Sequence, residues 1–411
     1  MEVVVRKSEV NGEVKAPPSK SYTHRALFAG ALSRRARIYS PLISDDTLAT
    51  AFSCKKSGSI FLRKGDAAIV GGLRKFGGYY NCMNSGTTLR ILISLAAALG
   101  DHSILDGDES LRNRPNKELC EAVKKLGAEV IGGEEFKAPL KIRGRIKAGE
   151  VEISGKSSQF VTSLLFALPL VGDSVVRVRD LKSKPYVDVT LHVLEESNVK
   201  VEVEGNEYHV YDSEYKLREF QVPPDFSSIS YLIAAGVVGG KVSIKNVVDS
   251  RQGDKVIVDL VREMGGRVEW RNDEIVAEKS ELEGIEFDAS NNPDLVPTIA
   301  VLAAVAKGKT RIYNAEHLRL KETDRITTIC ENLRRLGVDV KCGEGEIVVE
   351  GKGFREFKGV VDSFGDHRIA MAFSVLGLLG EVRILKAECV SVSYPKFFQD
   401  LKKLGADVNA G

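Results

Sequence analysis

Two helical patterns alternate along the chain, and each returns with a step of about 70 residues. The first is amphipathic and ends on a fixed signature. Lys-Lys-Leu-Gly-Ala-Glu-Val surrounds Gly127, Glu-Met-Gly-Gly-Arg-Val surrounds Gly265, Arg-Arg-Leu-Gly-Val-Asp-Val surrounds Gly337, and Lys-Lys-Leu-Gly-Ala-Asp-Val surrounds Gly405. Weaker copies lie at Gly58 and Asn198. Gly and Asn tolerate the left-handed backbone that ends a helix, and the residues that follow open a strand. The second pattern starts near Ser19, Ser85, Ser157, Ser227, Asp294 and Asp366. It is apolar nearly all round, as in Thr88 to Leu99, Leu295 to Ala306 and Ile369 to Leu379. A helix of that kind is buried on most sides.

Each repeat therefore predicts one buried helix, one surface helix and several short strands. The sixth repeat stops soon after Gly405, before the second strand that Glu346 to Glu350 supplies in the fifth. Met1 to Val10 is the simplest source of the missing strand. That closure predicts two domains of three repeats. Pro17-Pro18 and Pro223-Pro224 exclude helix and mark the crossings. The first domain is expected over 14–221, and the second over 222–411 plus the returning strand 1–13.

Composition then narrows the class. Of 411 residues, 43% are hydrophobic and 28% charged, with a net charge of +2. Those values suit a soluble globular protein and carry no basic excess for nucleic acid. The N-terminus lacks a signal-peptide core, and the longest nearly apolar stretch, Ile369 to Gly380, is too short to span a bilayer. Cys54, Cys82, Cys120, Cys330, Cys342 and Cys389 form no CxxC pair, so six reduced thiols are expected rather than a disulfide frame or a zinc site. Gly155-Lys156-Ser157 and Gly308-Lys309-Thr310 resemble the end of a P-loop, but Glu150 and Ala303 stand where that motif needs its first Gly. Neither a GxGxxG fingerprint nor an HExxH pair occurs, so no nucleotide or metal cofactor is expected.

Candidate chemistry gathers where the buried helices begin. Ser19-Lys20-Ser21-Tyr22-Thr23-His24-Arg25, Asn84-Ser85-Gly86-Thr87-Thr88-Leu89-Arg90, Lys156-Ser157-Ser158-Gln159 and Gly365-Asp366-His367-Arg368 are polar and mostly basic. Ser, Thr and Asp are good N-caps on their own account. Cations are not, because a helix N-terminus repels them and favours anions. Their presence points to anionic ligands. Arg112-Asn113-Arg114-Pro115 and Lys321-Glu322-Thr323-Asp324-Arg325 add further charge at the starts of two surface helices.

Lys20-Ser-x-x-x-Arg25, Asn84-Ser-Gly-Thr-Thr-Leu-Arg90, Arg114-Pro115, Ser157-Ser-Gln159, Ser183-Lys-Pro-Tyr186, Asp294, Lys321-Glu-Thr-Asp-Arg325 and Asp366-His-Arg368 resemble, in this order, the 5-enolpyruvylshikimate-3-phosphate synthases. The resemblance covers nearly the whole chain. It implies an α/β fold of two domains, each of three βαβαββ repeat units with buried helices, around an interdomain cleft. It implies transfer of the enolpyruvyl group of phosphoenolpyruvate to the 5-hydroxyl of shikimate 3-phosphate, with loss of phosphate, through a tetrahedral intermediate and without a cofactor. Phosphoenolpyruvate is expected at Lys20, Gly86, Arg114, Gln159, Arg325 and Arg368. Shikimate 3-phosphate is expected at Lys20, Ser21, Arg25, Ser157, Ser158, Gln159, Ser183, Tyr186, Asp294 and Lys321. Asp294, Glu322 and Lys20 are the catalytic candidates, with Asp294 taking the hydroxyl proton and Glu322 or Lys20 protonating the methylene carbon. The expected setting is a cytoplasmic monomer with no nucleic-acid or membrane partner.

Three positions depart from the family pattern. Val392 replaces a C-terminal lysine, His317 stands where many members have Asn, and Ile91 where many have Pro. Two other readings share the architecture. A UDP-N-acetylglucosamine enolpyruvyl transferase typically carries a cysteine in a Gly-Gly-Cys-like loop, and none of the six here has such neighbours. A non-catalytic protein binding anions or RNA ends accounts for the basic helix starts, but not for Asp294 and Glu322 among them.

Overall fold

A computed structural model of the chain describes every residue except Arg74 and Asp101. The backbone divides into two compact units, one of Pro18–Val222 and one of Pro223–Gly411 together with Met1–Pro17. Each holds three four-stranded sheets with the same arrangement of parallel and antiparallel neighbours. In the third repeat Glu150–Ser154 runs parallel to Ser174–Arg179, and the helix Ser158–Ala167 makes the crossover that a parallel pair requires. The outer helix Lys184–Glu196 follows. The hairpin Val201–Glu204 and Glu207–Val210 then returns, with Glu207–Val210 antiparallel to Ser174–Arg179.

Three sheets are completed by strands from elsewhere in the chain. Glu219–Gln221 pairs in parallel with Ala36–Tyr39 in the first repeat, and Val10–Lys15 with Gly240–Lys245 in the fourth. Glu2–Arg6 lies between Glu381–Leu385 and Asp407–Ala410 in the sixth, antiparallel to both. The strand expected over Met1 to Val10 is thus shorter, because Val10 already opens a strand of a different sheet.

The inner helices form the centre of each core. Every residue of Phe226–Gly239 and of Val296–Val305 is buried. Outer helices bury one stripe only: Arg325–Arg335 turns Ile326, Ile329, Cys330 and Leu333 inward at the spacing of a half-buried helix. Among the described residues, no helix is long and apolar enough to cross a membrane.

The expectation of six thiols is corrected. Cys330 and Cys342 form a disulfide, with Cα atoms 6.6 Å apart, within the range a bridge spans. Cys330 is on an outer helix and Cys342 ends the strand Asp339–Cys342 that folds back after it. A spacing set by that reversal has no short sequence signature. Cys54, Cys82, Cys120 and Cys389 are free. Burial pushes the Cys54 thiol up to about 12, which leaves it inert at neutral pH.

Close packing of inner helix on sheet gives the first prediction. A Cβ at Gly236 would lie 2.7 Å from the carbonyl oxygen of Ala277. Gly236→Ala should gain up to about 1 kcal/mol of helix propensity. The collision with backbone should outweigh it, for a net loss of about 1–3 kcal/mol in urea unfolding. A variant as stable as the parent would show that helix and sheet separate freely here.

Candidate active site

Four inner-helix starts are explained by capping. The Ser19 side chain accepts from the Tyr22 amide at 3.3 Å, Ser85 from Thr88 at 3.1 Å, Asp225 from Ser228 at 3.1 Å and Asp366 from Arg368 at 2.9 Å. Two starts in the third repeat are not. Neither Ser157, before the inner helix, nor Ser183, before the outer helix Lys184–Glu196, makes a capping hydrogen bond. Ser183 is buried and holds a left-handed backbone, φ 56°, which a serine adopts only at a cost. Strain and an unused hydroxyl at a helix N-terminus together suit an anion rather than a cap. Ser158 is the first residue of the inner helix itself. Lys156, in contrast, is exposed and faces Glu118 at 3.6 Å.

Arg25 is the most deeply buried arginine among the described residues of the N-terminal unit, 2% exposed. Its guanidinium donates to the hydroxyls of Thr190 at 2.8 Å and Thr162 at 3.3 Å, and to the carbonyls of Ser21 at 2.9 Å and Tyr186 at 3.1 Å. Among the described residues no carboxylate pairs with it. Burial therefore lowers its pKa to about 10. A buried cation held only by neutral oxygens is arranged to receive an anion. Ser21 and Tyr186 border it through their backbone. Lys20, one turn earlier, is paired: its Nζ lies 2.8 Å from the Asp46 carboxylate. Between these cations His24 is wholly buried, and burial, then Lys20 and Arg25, hold its pKa well below the usual value. It therefore stays neutral, bonded to Thr50 at 2.8 Å.

A second cationic group surrounds Gly86. An added Cβ there would be 3.2 Å from Arg114 Nη1, 3.3 Å from Gln159 Oε1 and 3.6 Å from Arg90 Nη1. The structure thus brings Gly86, Arg114 and Gln159 together around the start of the helix Gly86–Leu99. Arg90 orders them. It donates to Gln159 at 2.7 Å and to Asn116 at 3.1 Å, and its guanidinium lies 5.1 Å from the Phe160 ring. Arg114 donates to Asn84 at 2.8 Å, while its buried Nε has no hydrogen-bond partner among the described residues. Arg112 goes elsewhere, forming two bonds of 2.8 and 2.7 Å to Asp106.

The C-terminal unit places the remaining candidates on one buried charge network. Arg325, 1% exposed, donates to Asp366 at 2.7 Å, Asp294 at 2.8 Å and Glu322 at 2.6 Å. Burial alone would lower its pKa; the carboxylates of Asp366, Glu322 and Asp294 overcome that and hold it above its usual value. Asp294 is shared, its other oxygen meeting Arg368 at 2.8 Å. Arg368 also donates to the Tyr231 hydroxyl at 3.3 Å. Burial lowers the pKa of Lys321 against the opposing charge of Asp294. Of the departures, Ile91 and Val392 are buried, and His317 is buried in the turn Glu316–Leu320.

Several neighbours escaped sequence reading: Asp46, Thr162, Thr190 and Asp254. Asp254 is 1% exposed and accepts from Ser227 Oγ at 2.6 Å and Asn292 Nδ2 at 3.0 Å. Burial, then the charge of Asp294, pushes its pKa up to about 6. The folded state therefore holds this proton more tightly than the unfolded chain does. Its ionised form costs stability above about pH 6, and that cost fades as pH falls toward the unfolded value of about 4. Asp254→Asn should accordingly melt higher than the parent at pH 8, by the equivalent of about 1–3 kcal/mol. The advantage should vanish near pH 4, a trend that calorimetry at several pH values will read.

Comparison with known proteins bears on the chain as a whole. The family model for EPSP synthase (3-phosphoshikimate 1-carboxyvinyltransferase) matches residues 4–401. The chain is 58% identical to the 3-phosphoshikimate 1-carboxyvinyltransferase of Archaeoglobus fulgidus, over 99% of both chains. It is 43% identical to that of Methanothrix thermoacetophila over the full length of both. A solved EPSP synthase from Acinetobacter baumannii superposes with a TM-score of 0.84 at 26% identity, covering all of each chain. The enolpyruvyl transferase NikO from Streptomyces tendae shares the fold, with a TM-score of 0.79 at 18% identity over 99% of this chain and 98% of its own. Matched along nearly its whole length by family, relatives and fold alike, the chain belongs to the EPSP synthase family.

Proposed function

We propose that this protein transfers the enolpyruvyl group of phosphoenolpyruvate to the 5-hydroxyl of shikimate 3-phosphate, as a cytoplasmic monomer. The observation that carries the reading is Arg25, buried, paired with no carboxylate among the described residues and bonded to the two helices that the uncapped serines of the third repeat precede. Two polyanionic substrates must meet, and fixed cations and oriented N–H groups offset their repulsion. Shikimate 3-phosphate places its carboxylate at Ser21 and Arg25 and its phosphate at Ser157, Ser158 and Ser183, with Tyr186 and Lys321 bordering the ring. Phosphoenolpyruvate is held by Lys20, the Gly86 amide, Arg114, Gln159, Arg325 and Arg368.

The reaction is addition followed by elimination. The shikimate oxygen attacks C2 of phosphoenolpyruvate while C3 gains a proton, which gives a tetrahedral intermediate. The C2–O bond to phosphate then breaks, C3 loses a proton, and the double bond returns. Asp294 accepts the hydroxyl proton. Both its oxygens are engaged by guanidinium groups, so one of those bonds must loosen as the proton arrives. Glu322 supplies the carbon proton and is held 2.6 Å from Arg325. Lys20 is the rival donor, tied to Asp46 at 2.8 Å.

Phosphate release from phosphoenolpyruvate tests the reading. Release should require shikimate 3-phosphate and ignore UDP-N-acetylglucosamine; release driven by the sugar nucleotide would replace this reading with its rival. Run in deuterium oxide, the parent should incorporate deuterium into the enolpyruvyl methylene, because the methyl of the intermediate rotates before it returns a proton. Glu322→Gln should lose both exchange and turnover, each by at least about a hundredfold, while still binding shikimate 3-phosphate. Near-normal exchange in that variant would leave Lys20 as the acid.

A further inference from the structure

Behind Asp294 stands a second carboxylate that the proposed chemistry does not use. Asp254 lies in the turn Gly253–Val256 and is enclosed by the inner helix Phe226–Gly239 and the turn that carries Asp294. One oxygen accepts from Ser227 on that helix at 2.6 Å. The other accepts at 3.0 Å from Asn292, which immediately precedes the turn Pro293–Leu295. Gln252 Nε2 donates to the Ser227 hydroxyl at 3.1 Å.

We infer that Asp254 is a positioning residue for Asp294, fixing its turn through Asn292 and supplying a buried negative charge that opposes the two guanidinium groups on Asp294. The inference rests on the role proposed for Asp294. Three observations carry it. Asn292 is followed by Pro293, whose ring fixes φ, so anchoring the Asn292 side chain leaves Asp294 little freedom. Asp294 is held by Arg325 at 2.8 Å and Arg368 at 2.8 Å, and two cations favour the charged carboxylate and weaken it as a base. A neighbouring buried anion acts in the opposite sense. Finally, burial and the charge of Asp294 both oppose ionisation of this group, whereas an asparagine would fill the same space and keep a carbonyl for Asn292. A residue retained only for packing has no need of the charge.

The charged groups facing Asp254 are Asp294, from its own turn, and Arg368, from the helix His367–Ser374. Asp254 and Asp294 therefore titrate as a pair, and the acidic limb of the rate profile belongs to both. When Asp254 is ionised, Asp294 takes a proton more readily.

The test is the pH dependence of kcat in full-length enzyme with both substrates. Asp254→Asn should lower kcat by about ten- to a hundredfold, leave both KM values within about threefold, and move the acidic limb down by about one pH unit. Ser227→Ala should move the same limb upward, because Asp254 loses a donor that favours its charged form. These opposite shifts are not expected of two merely structural lesions, and Ser227→Ala keeps the test open should Asp254→Asn fold poorly. A limb that stays in place in both variants, or a loss that falls on KM with kcat intact, overturns the inference. Asp294→Asn separates the two levels. If it is inactive while Asp254→Asn shows no shift, only Asp254 loses its role; if it turns over like the parent, the assignment of Asp294 falls and this inference with it.

Discussion

Arg325 donates to three carboxylates that arrive from three segments: Asp294 on its turn, Glu322 just ahead of the outer helix, and Asp366 at the cap of an inner helix. Burying one guanidinium in this way is favourable only because every partner is charged and bonded. Removing it would leave three carboxylates facing one another in a low-dielectric interior, and breaking a buried pair costs about 3–5 kcal/mol. The position of each acid thus depends on the same cation. Asp294 passes the constraint to Arg368, and Arg368 to Tyr231. Most of the N–H groups of Arg325 are consumed in this way, so its place in the proposed reaction is first to hold the acids and only then to touch phosphoenolpyruvate.

The N-terminal unit follows the opposite rule. Its buried arginine, Arg25, is bonded to four neutral oxygens and paired with no carboxylate among the described residues, and Arg114 keeps a buried Nε–H without a partner. Of Lys20, Arg25 and Arg114, Lys20 alone pairs with an acid among the described residues. One unit is built to hold anions, and the other to hold acids in fixed relation to cations. A reaction that neutralises two substrate anions and moves two protons needs both kinds of arrangement.

The repeat was legible because its punctuation is chemical. A glycine or asparagine ending each outer helix and a strand beginning straight after it are forced by backbone sterics and survive wide changes elsewhere. Gly265, Gly337 and Gly405 do take positive φ. The strands Val10–Lys15 and Glu219–Gln221 were illegible for the converse reason: each is short, and its partner lies far away in sequence. The same holds for the Cys330–Cys342 bridge. At the site, residues in family-like clusters were readable, whereas Asp46 and Asp254 were not. Each is a lone acid in an ordinary polar stretch, and only the fold brings Lys20 to the one and Asn292 to the other.

Why the chemistry collects at helix starts follows from burial. An inner helix apolar on every side has no polar face to offer, so its function can only be at an end. The N-terminal end offers free N–H groups and a partial positive charge. Six such ends exist, but they are not equivalent. In the fourth repeat the start is sealed by the chain itself: Asp225 caps Ser228, and Gln252 accepts from the Phe226 amide at 3.0 Å. Gln252 also reaches Ser227, which bonds Asp254. This helix start, which carries no lysine or arginine, is thus spent on placing a carboxylate. The start of the third repeat, where Ser157 makes no capping hydrogen bond, leaves N–H donors for an anion. The same fold element supplies anion binding where cations crowd its first turn, and a rigid support for acid–base residues where its own side chains close it.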